Sequence, residues 1–227
     1  MIFRLYHWLA ILAPASLLSC GTSGVTQQQA LATAERYSQM QWMPEARHRL
    51  HGPDSNGIVV QTPDHDPADV DNKFGWWKAG VLAKGMPYQW GGFDSPESFQ
   101  KKLAAGYYAG DIASPSKRRS GDDGVSQEAC GIDCSGFVSR CWNLPRAYST
   151  RELSSLCDPV ASWDELQPGD MLLNRTHVLV FSSWHIPEKS VYAYEAGASP
   201  KWRVHHQKFT KERLLKEGYV PWRYQKM

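Results

Sequence analysis

Gly131-Ile132-Asp133-Cys134-Ser135-Gly136-Phe137-Val138-Ser139-Arg140-Cys141-Trp142 is the stretch on which the reading of this chain turns. Cys134, Phe137, Val138, Cys141 and Trp142 recur at i, i+3, i+4, i+7 and i+8, the spacing that lines one face of an α-helix. Asp133 is an N-cap residue by type and place, so Cys134 falls in the first turn. Unpaired N–H groups and the helix dipole favour an anionic sulfur there. A thiolate is a nucleophile, and the same N–H groups can help hold an oxyanion. The competing reading is a buried structural cysteine, and Cys141 on the same face reads as one.

A nucleophilic cysteine needs a base and a group that orients the base, brought together by the fold and not by adjacency in sequence. His177 is the candidate base, at the start of the apolar run His177-Val-Leu-Val-Phe181. The next strand candidate, Val191-Tyr-Ala-Tyr-Glu195, ends in a carboxylate. If the two strands are antiparallel neighbours, Glu195 reaches the imidazole, fixes its tautomer and stabilises the imidazolium. His185, His205 and His206 have no comparable strand-end pairing and read as surface or structural.

Further strands are expected at Met171-Leu-Leu173, Trp202–His206 and Tyr219–Tyr224, and a short helix over Phe209–Glu217 closed by Gly218. Toward the N-terminus, Ala30, Leu31, Ala34 and Tyr37 give a weak helical stripe, and Ile58–Thr62 reads as a short strand. Phe74–Lys84 reads as a helix closed by Gly85, and residues 98–110 as another ending at Gly110. Asp64–Asp71 is expected to be a solvated acidic loop, since it lacks calcium-ligand spacing. Residues 114–127 read as a solvated surface loop. Helices first and strands later predict an α+β fold with an antiparallel sheet.

Four motifs in order carry a family resemblance: Pro87-Tyr-Gln-Trp-Gly-Gly92, Asp133-Cys-Ser-Gly-Phe-Val138, Leu166-Gln-Pro-Gly-Asp170 and His177-Val178. Together they resemble the NlpC/P60 cysteine peptidases, over roughly two-thirds of the chain from Phe74 to the C-terminus. The resemblance implies a papain-like α+β fold, with N-terminal helices packed on a small antiparallel sheet. It implies Cys134 as nucleophile, His177 as base, Tyr88 lining the site near the thiol, and Asp133 and Ser135 touching substrate beside it. Trp90, two residues from Tyr88, is a further candidate for the cleft wall. It also implies cleavage of peptidoglycan stem peptides, typically between γ-D-glutamate and the following diamino acid. Three features depart from the family pattern. Glu195 stands where many members carry a third catalytic His. The stretch between Gly92 and Cys134 is long, and the segment before Phe74 does not resemble a wall-binding SH3 domain. Two alternatives stay open: a non-catalytic wall-binding lipoprotein on the same fold, or an amidase or acyltransferase of the same superfamily.

The N-terminus reads as a secretory signal: Arg4 precedes an apolar run from Leu5 to Leu18, then Ser19-Cys20-Gly21. The run is shorter than the ~20 residues that span a bilayer. Leu17-Leu18-Ser19-Cys20 resembles a bacterial lipobox, which implies cleavage before Cys20 and lipidation of its thiol and new N-terminus. For a lipoprotein of a diderm bacterium, the resemblance with Gly21 in place of Asp implies the outer membrane, facing the periplasm. The expected organisation is a signal peptide over residues 1–19, a tether and N-terminal extension over 20–73, and a catalytic domain over 74–227.

Composition bounds these readings. The chain has 227 residues, 42% hydrophobic and 21% charged, which excludes a largely disordered or collagen-like protein. Lys and Arg number 25 against 23 Asp and Glu, so binding nucleic acid by blanket charge neutralisation is not expected. No cofactor is expected, since no nucleotide-binding glycine loop is present. No metal site is expected either, because the Cys spacings lack partner histidines at zinc-finger distances. Five cysteines cannot all pair within one chain. With Cys20 assigned to lipid and Cys134 to chemistry, a Cys130–Cys157 disulfide is conceivable. Of the 10 tryptophans, Trp142, Trp163, Trp184, Trp202 and Trp222 read as core or sheet-packing residues. Trp76 and Trp77, adjacent on one expected helix, cannot both face the core.

Overall fold

The computed structural model describes residues 24–65, 75–197 and 201–227. The expected signal peptide, the lipidation at Cys20 and most of the acidic loop lie outside the described residues. Thr26 makes a reciprocal cap: its Oγ1 accepts from Gln29 N at 3.1 Å, and the Gln29 side chain accepts from Thr26 N at 2.8 Å. This launches helix α1 (Gln27–Gln39), whose Ala30, Ala34 and Tyr37 are buried. Part of the expected tether is therefore built into the core, and the packed unit begins well before Phe74. Strand β1 (Gln41–Trp42) follows, then the hairpin of β2 (His51–Pro53) and β3 (Val59–Gln61), then β4 (Ala83–Lys84), which pairs antiparallel with β1.

Residues 75–84 do not form the helix expected there. Trp77 makes a bridge to Asp64, the chain turns between Lys78 and Val81, and β4 closes the segment. The aromatic rings explain the difference. Trp42 meets Trp76 and Trp77 edge-on at 6.0 and 5.7 Å, and Phe99 at 5.3 Å. This cluster holds both adjacent tryptophans against one partner, which a helix would not allow. Asp64 is likewise not solvated: it is fully buried and pairs with His51 at 2.8 Å and Arg49 at 2.5 Å.

Helix α2 (Pro96–Ala104) ends sooner than expected, and β5 (Tyr108–Ala109) runs parallel to β6 (Ala129–Cys130). Between them lies helix α3 (Pro115–Ser120), capped by the Ser114 hydroxyl with Pro115 in its first turn. The expected surface loop thus contains a helix pinned from within. Lys117 is 6% exposed, and its Nζ lies 2.6 Å from Asp111 Oδ2 and 3.0 Å from the Gly124 carbonyl. Burial pushes the Asp111 carboxyl up to about 6, against the pull of Lys117. A raised carboxyl means that protonation favours the folded chain, and that this contribution fades as pH rises through about 6. Lys117→Met is accordingly expected to cost about 3 kcal/mol at pH 8, where a buried charge is left unpaired. The loss should be smaller at pH 5. Urea melts at the two pH values check this, and equal losses would refute it.

Helix α4 (Cys134–Cys141) follows, then α5 (Thr150–Leu153) and β7 (Cys157–Pro159). Strands β8 (Met171–Leu173), β9 (Val178–Ile186), β10 (Ser190–Ala196) and β11 (Val204–Thr210) come next, then α6 (Lys211–Lys216) and β12 (Val220–Tyr224). The main sheet has the order β11-β10-β9-β8-β12-β7 with every pair antiparallel. The architecture is α+β, as expected. Period-two alternation along β9 divides the core. Val178 and Val180 join the cluster with α1 and α4, while Leu179 and Phe181 join the cluster with Phe209 and Leu214 on the other face. On the α4 side Trp142 stacks on Tyr224 at 4.9 Å and donates to the Gly169 carbonyl at 3.1 Å.

Cys130, Cys134, Cys141 and Cys157 are all free and buried. The conceivable Cys130–Cys157 disulfide is not formed; the two thiols are free and lie on strands of different sheets. Cys130 Sγ donates to the Tyr108 carbonyl, and Cys157 Sγ to the Leu153 carbonyl. No helix among the described residues is long and apolar enough to cross a membrane.

Candidate active site

Asp133 caps α4 as its position predicts: its Oδ1 accepts from Gly136 N at 2.6 Å and from the Ser135 hydroxyl at 3.0 Å. Cys134 is consequently the first residue of the helix, buried beneath its N-terminal turn. Gly136 lets the Gly91-Gly92 turn lie directly on this helix, since a Cβ there would meet the Gly92 carbonyl oxygen at 2.4 Å. The same turn carries Tyr88 alongside. Tyr88 bridges Ile132, placing its ring next to the residues that open α4. Burial pushes its hydroxyl pKa well up, and the charges of Cys134 and Asp133 push it further.

His177 is set by the β8–β9 turn. Asn174 Oδ1 accepts from His177 N at 2.8 Å and from Thr176 N at 2.9 Å. The strands that carry His177 and Glu195 are antiparallel neighbours, as anticipated. His177 Nε2 lies 2.6 Å from Glu195 Oε2. The Cys134 sulfur is close enough to the imidazole to act on its charge. With Nε2 committed to Glu195, Nδ1 is the edge that serves the sulfur. The three residues expected to do the chemistry therefore form one continuous line.

The electrostatics follow from that line. Burial works against a charged His177, but the Cys134 sulfur, as charge and as hydrogen-bond partner, and then Glu195 outweigh it. Together they push the His177 pKa up to about 10. Burial also opposes ionisation of Glu195, and hydrogen bonds from His177 and His205 reverse this. The carboxyl is held well below the usual carboxylate range. For Asp133, burial raises the pKa despite the donors around it.

A cavity of 420 Å³ opens beside this group, with His177, Glu195, Lys201, His205, Arg213 and Tyr219 among its walls. Trp90 is not one of them. Its indole donates to the Gly121 carbonyl at 3.1 Å, and Arg118 sits over its ring at 5.9 Å. It ties the end of α3 to the stretch that carries Tyr88. Asp133 and Ser135 stand beside the thiol, bonded to each other.

His205 was expected to be surface or structural, and the fold places it in the site. It is 9% exposed, it faces Glu195 directly in the β10–β11 register, and its Nε2 lies 3.1 Å from Glu195 Oε1. The signal was available: once Glu195 ends one strand, the facing position on the next is a site position by pairing alone. Gln207, two residues on and on the same face, donates to the same Glu195 oxygen. Among the described residues no cluster of His, Cys, Asp and Glu is arranged to hold a metal. Trp42, Trp77, Trp142 and Trp202 are buried in the core, so they form no open platform for a sugar. Neither a protein-family model nor a curated protein matches this chain.

The arrangement has the parts for acyl transfer to sulfur: a thiol at a helix N-terminus, an imidazole beside it, and a buried carboxylate behind the imidazole.

Proposed function

We propose that this chain is a cysteine peptidase of the NlpC/P60 type on a papain-like scaffold, and that it hydrolyses peptidoglycan stem peptides. The bond assigned to it joins γ-D-glutamate to the following diamino acid. The observation that carries the reading is the line Cys134–His177–Glu195, with its 2.6 Å bond from imidazole to carboxylate.

In the proposed cycle His177 Nδ1 takes the proton of Cys134 Sγ. The thiolate attacks the peptide carbonyl carbon, and N–H groups at the start of α4 hold the oxyanion. The C–N bond breaks as the His177 imidazolium protonates the leaving amine. Water, giving a proton to His177, attacks the thioester. The carboxylic acid departs and Sγ recovers its proton. Glu195 keeps its charge throughout and holds the ring in the tautomer that the sequence needs. Tyr88, Asp133 and Ser135 bound the substrate next to the sulfur. The lipobox-like Leu17–Cys20 supports a protein held by lipid at the outer membrane, facing the periplasm, where this polymer lies.

Mass analysis of muropeptides incubated with the protein tests the reading. Peptides gaining one water at the assigned bond support it, and products of transfer without that water would reassign the reaction. The pH profile is a second check. Delivery of a proton to the leaving amine requires the imidazolium, whose pKa stands near 10. Cleavage is expected to hold its plateau through pH 8 and to fall on an alkaline limb near pH 10. An alkaline limb near pH 6.5 would contradict the ion-paired site.

A further inference from the structure

Glu195 has two carboxylate oxygens with different neighbours. Oε2 meets His177 at 2.6 Å, and Oε1 meets His205 at 3.1 Å and the Gln207 amide. A carboxylate can rotate about its last side-chain bond unless both oxygens are held. We propose that His205 is a positioning residue that acts through Glu195: it fixes Oε1 so that Oε2 stays aimed at the catalytic imidazole. This rests on the peptidase reading of Cys134 and His177.

Four observations support the role. His205 and Glu195 face each other across β10 and β11, so their side chains leave the sheet on one face. Both are buried, at 9% and 7% exposed, where a misplaced polar group is costly. The ring has little freedom: His205 Nδ1 lies 2.9 Å from the Arg203 carbonyl oxygen, which can only accept, so Nδ1 carries a proton, and Nε2 holds Oε1 as a donor when the ring is the imidazolium. That oxygen also accepts from Gly197 N at 3.0 Å. Gly197 closes the box, because a Cβ there would meet His205 Cε1 at 2.6 Å and Glu195 Cδ at 3.3 Å. The ring is thus clamped from two sides with its Nε2 edge turned to the carboxylate.

The charged and titratable groups around this pair come from several elements. Lys201 precedes β11, Arg213 lies on α6, and Glu217 and Tyr219 follow it, all on the shared cavity. Arg213 is engaged by Glu217 at 2.7 Å and Lys201 by Gln207 at 2.6 Å. His206 stacks on Tyr194 at 4.2 Å. Among the described residues, Gln207 donates to Oε1 and His205 Nε2 stands 3.1 Å from it.

The test measures alkylation of Cys134 by iodoacetamide from pH 5 to 9, followed by peptide mass mapping, beside muropeptide cleavage. His205→Phe keeps an aromatic ring, slightly larger, and removes the donor. Released at Oε1, Glu195 supports the His177 imidazolium less well, so the acid limb of Cys134 alkylation should move up by about one pH unit. That is about a tenfold lower rate on the limb. Cleavage should lose kcat while KM holds. His205→Gln, which returns an N–H near the place of Nε2, should recover most of the wild-type limb. In a Glu195→Ala background His205→Phe should add nothing, and this background also serves if the single Phe variant is unstable. A wild-type profile in His205→Phe, or the full shift still added on Glu195→Ala, would overturn the inference. A wild-type Cys134 no more reactive than free cysteine would instead overturn the peptidase reading on which it rests.

Discussion

Cys134→Ala protein is expected to leave muropeptides intact while unfolding at close to the wild-type temperature. The substitution removes one sulfur atom and keeps Cβ, so the helix stripe of Phe137, Val138 and Cys141 is untouched. The small void left at a 7% exposed position should cost about 1 kcal/mol or less. The catalytic loss is of another order, since the acyl group is carried on Sγ in the proposed cycle. Loss of a nucleophile of this kind lowers turnover by about a millionfold. A muropeptide digest followed by mass spectrometry, with a thermal melt of the same sample, gives both numbers. Residual cleavage within tenfold of wild type would remove Cys134 from the mechanism.

Glu195→Gln is expected to lower kcat by about 10²- to 10⁴-fold with KM nearly unchanged. The amide has almost the shape of the carboxylate, but it carries no charge and can present N–H to His177 Nε2. That favours the wrong tautomer and withdraws the support that Glu195 lends the imidazolium. The alkaline limb of the pH profile should move down from about 10 as that support is lost. Steady-state kinetics on a defined stem peptide across pH 6–10 measure all three quantities. An unchanged kcat would show that His177 needs no orienter, and a rise in KM alone would make Glu195 a substrate contact.

Much of the site is legible in the chain because it depends on local rules. The Cys134–Trp142 stripe and the Asp133 cap need one turn of helix geometry. The meeting of His177 and Glu195 needs only that consecutive strands pair antiparallel. The errors fall where distant contacts override local pattern. Residues 75–84 have a helical composition, yet Trp42 and Phe99 draw Trp76 and Trp77 into an extended path. Lys117 sits in a polar, glycine-rich run, and the distant Asp111 with the Gly124 carbonyl makes its burial tolerable. His205 needed the pairing argument carried one strand further. Thr26-Gln-Gln-Gln29 already held the cap signature of α1, although the surrounding residues read as a tether.

The separation of α4 from the β8–β11 ribbon has a consequence for the chain before it is folded. His177, Glu195 and His205 lie on neighbouring strands joined by short connections, so they gather early and locally. Cys134 belongs to a helix about 40 residues upstream and meets them only when that helix docks on the sheet. Under the proposed chemistry, an incompletely folded molecule holds an ordinary thiol and an idle imidazole. On that reading, docking of one helix arms the site, and the fold itself serves as a safety catch.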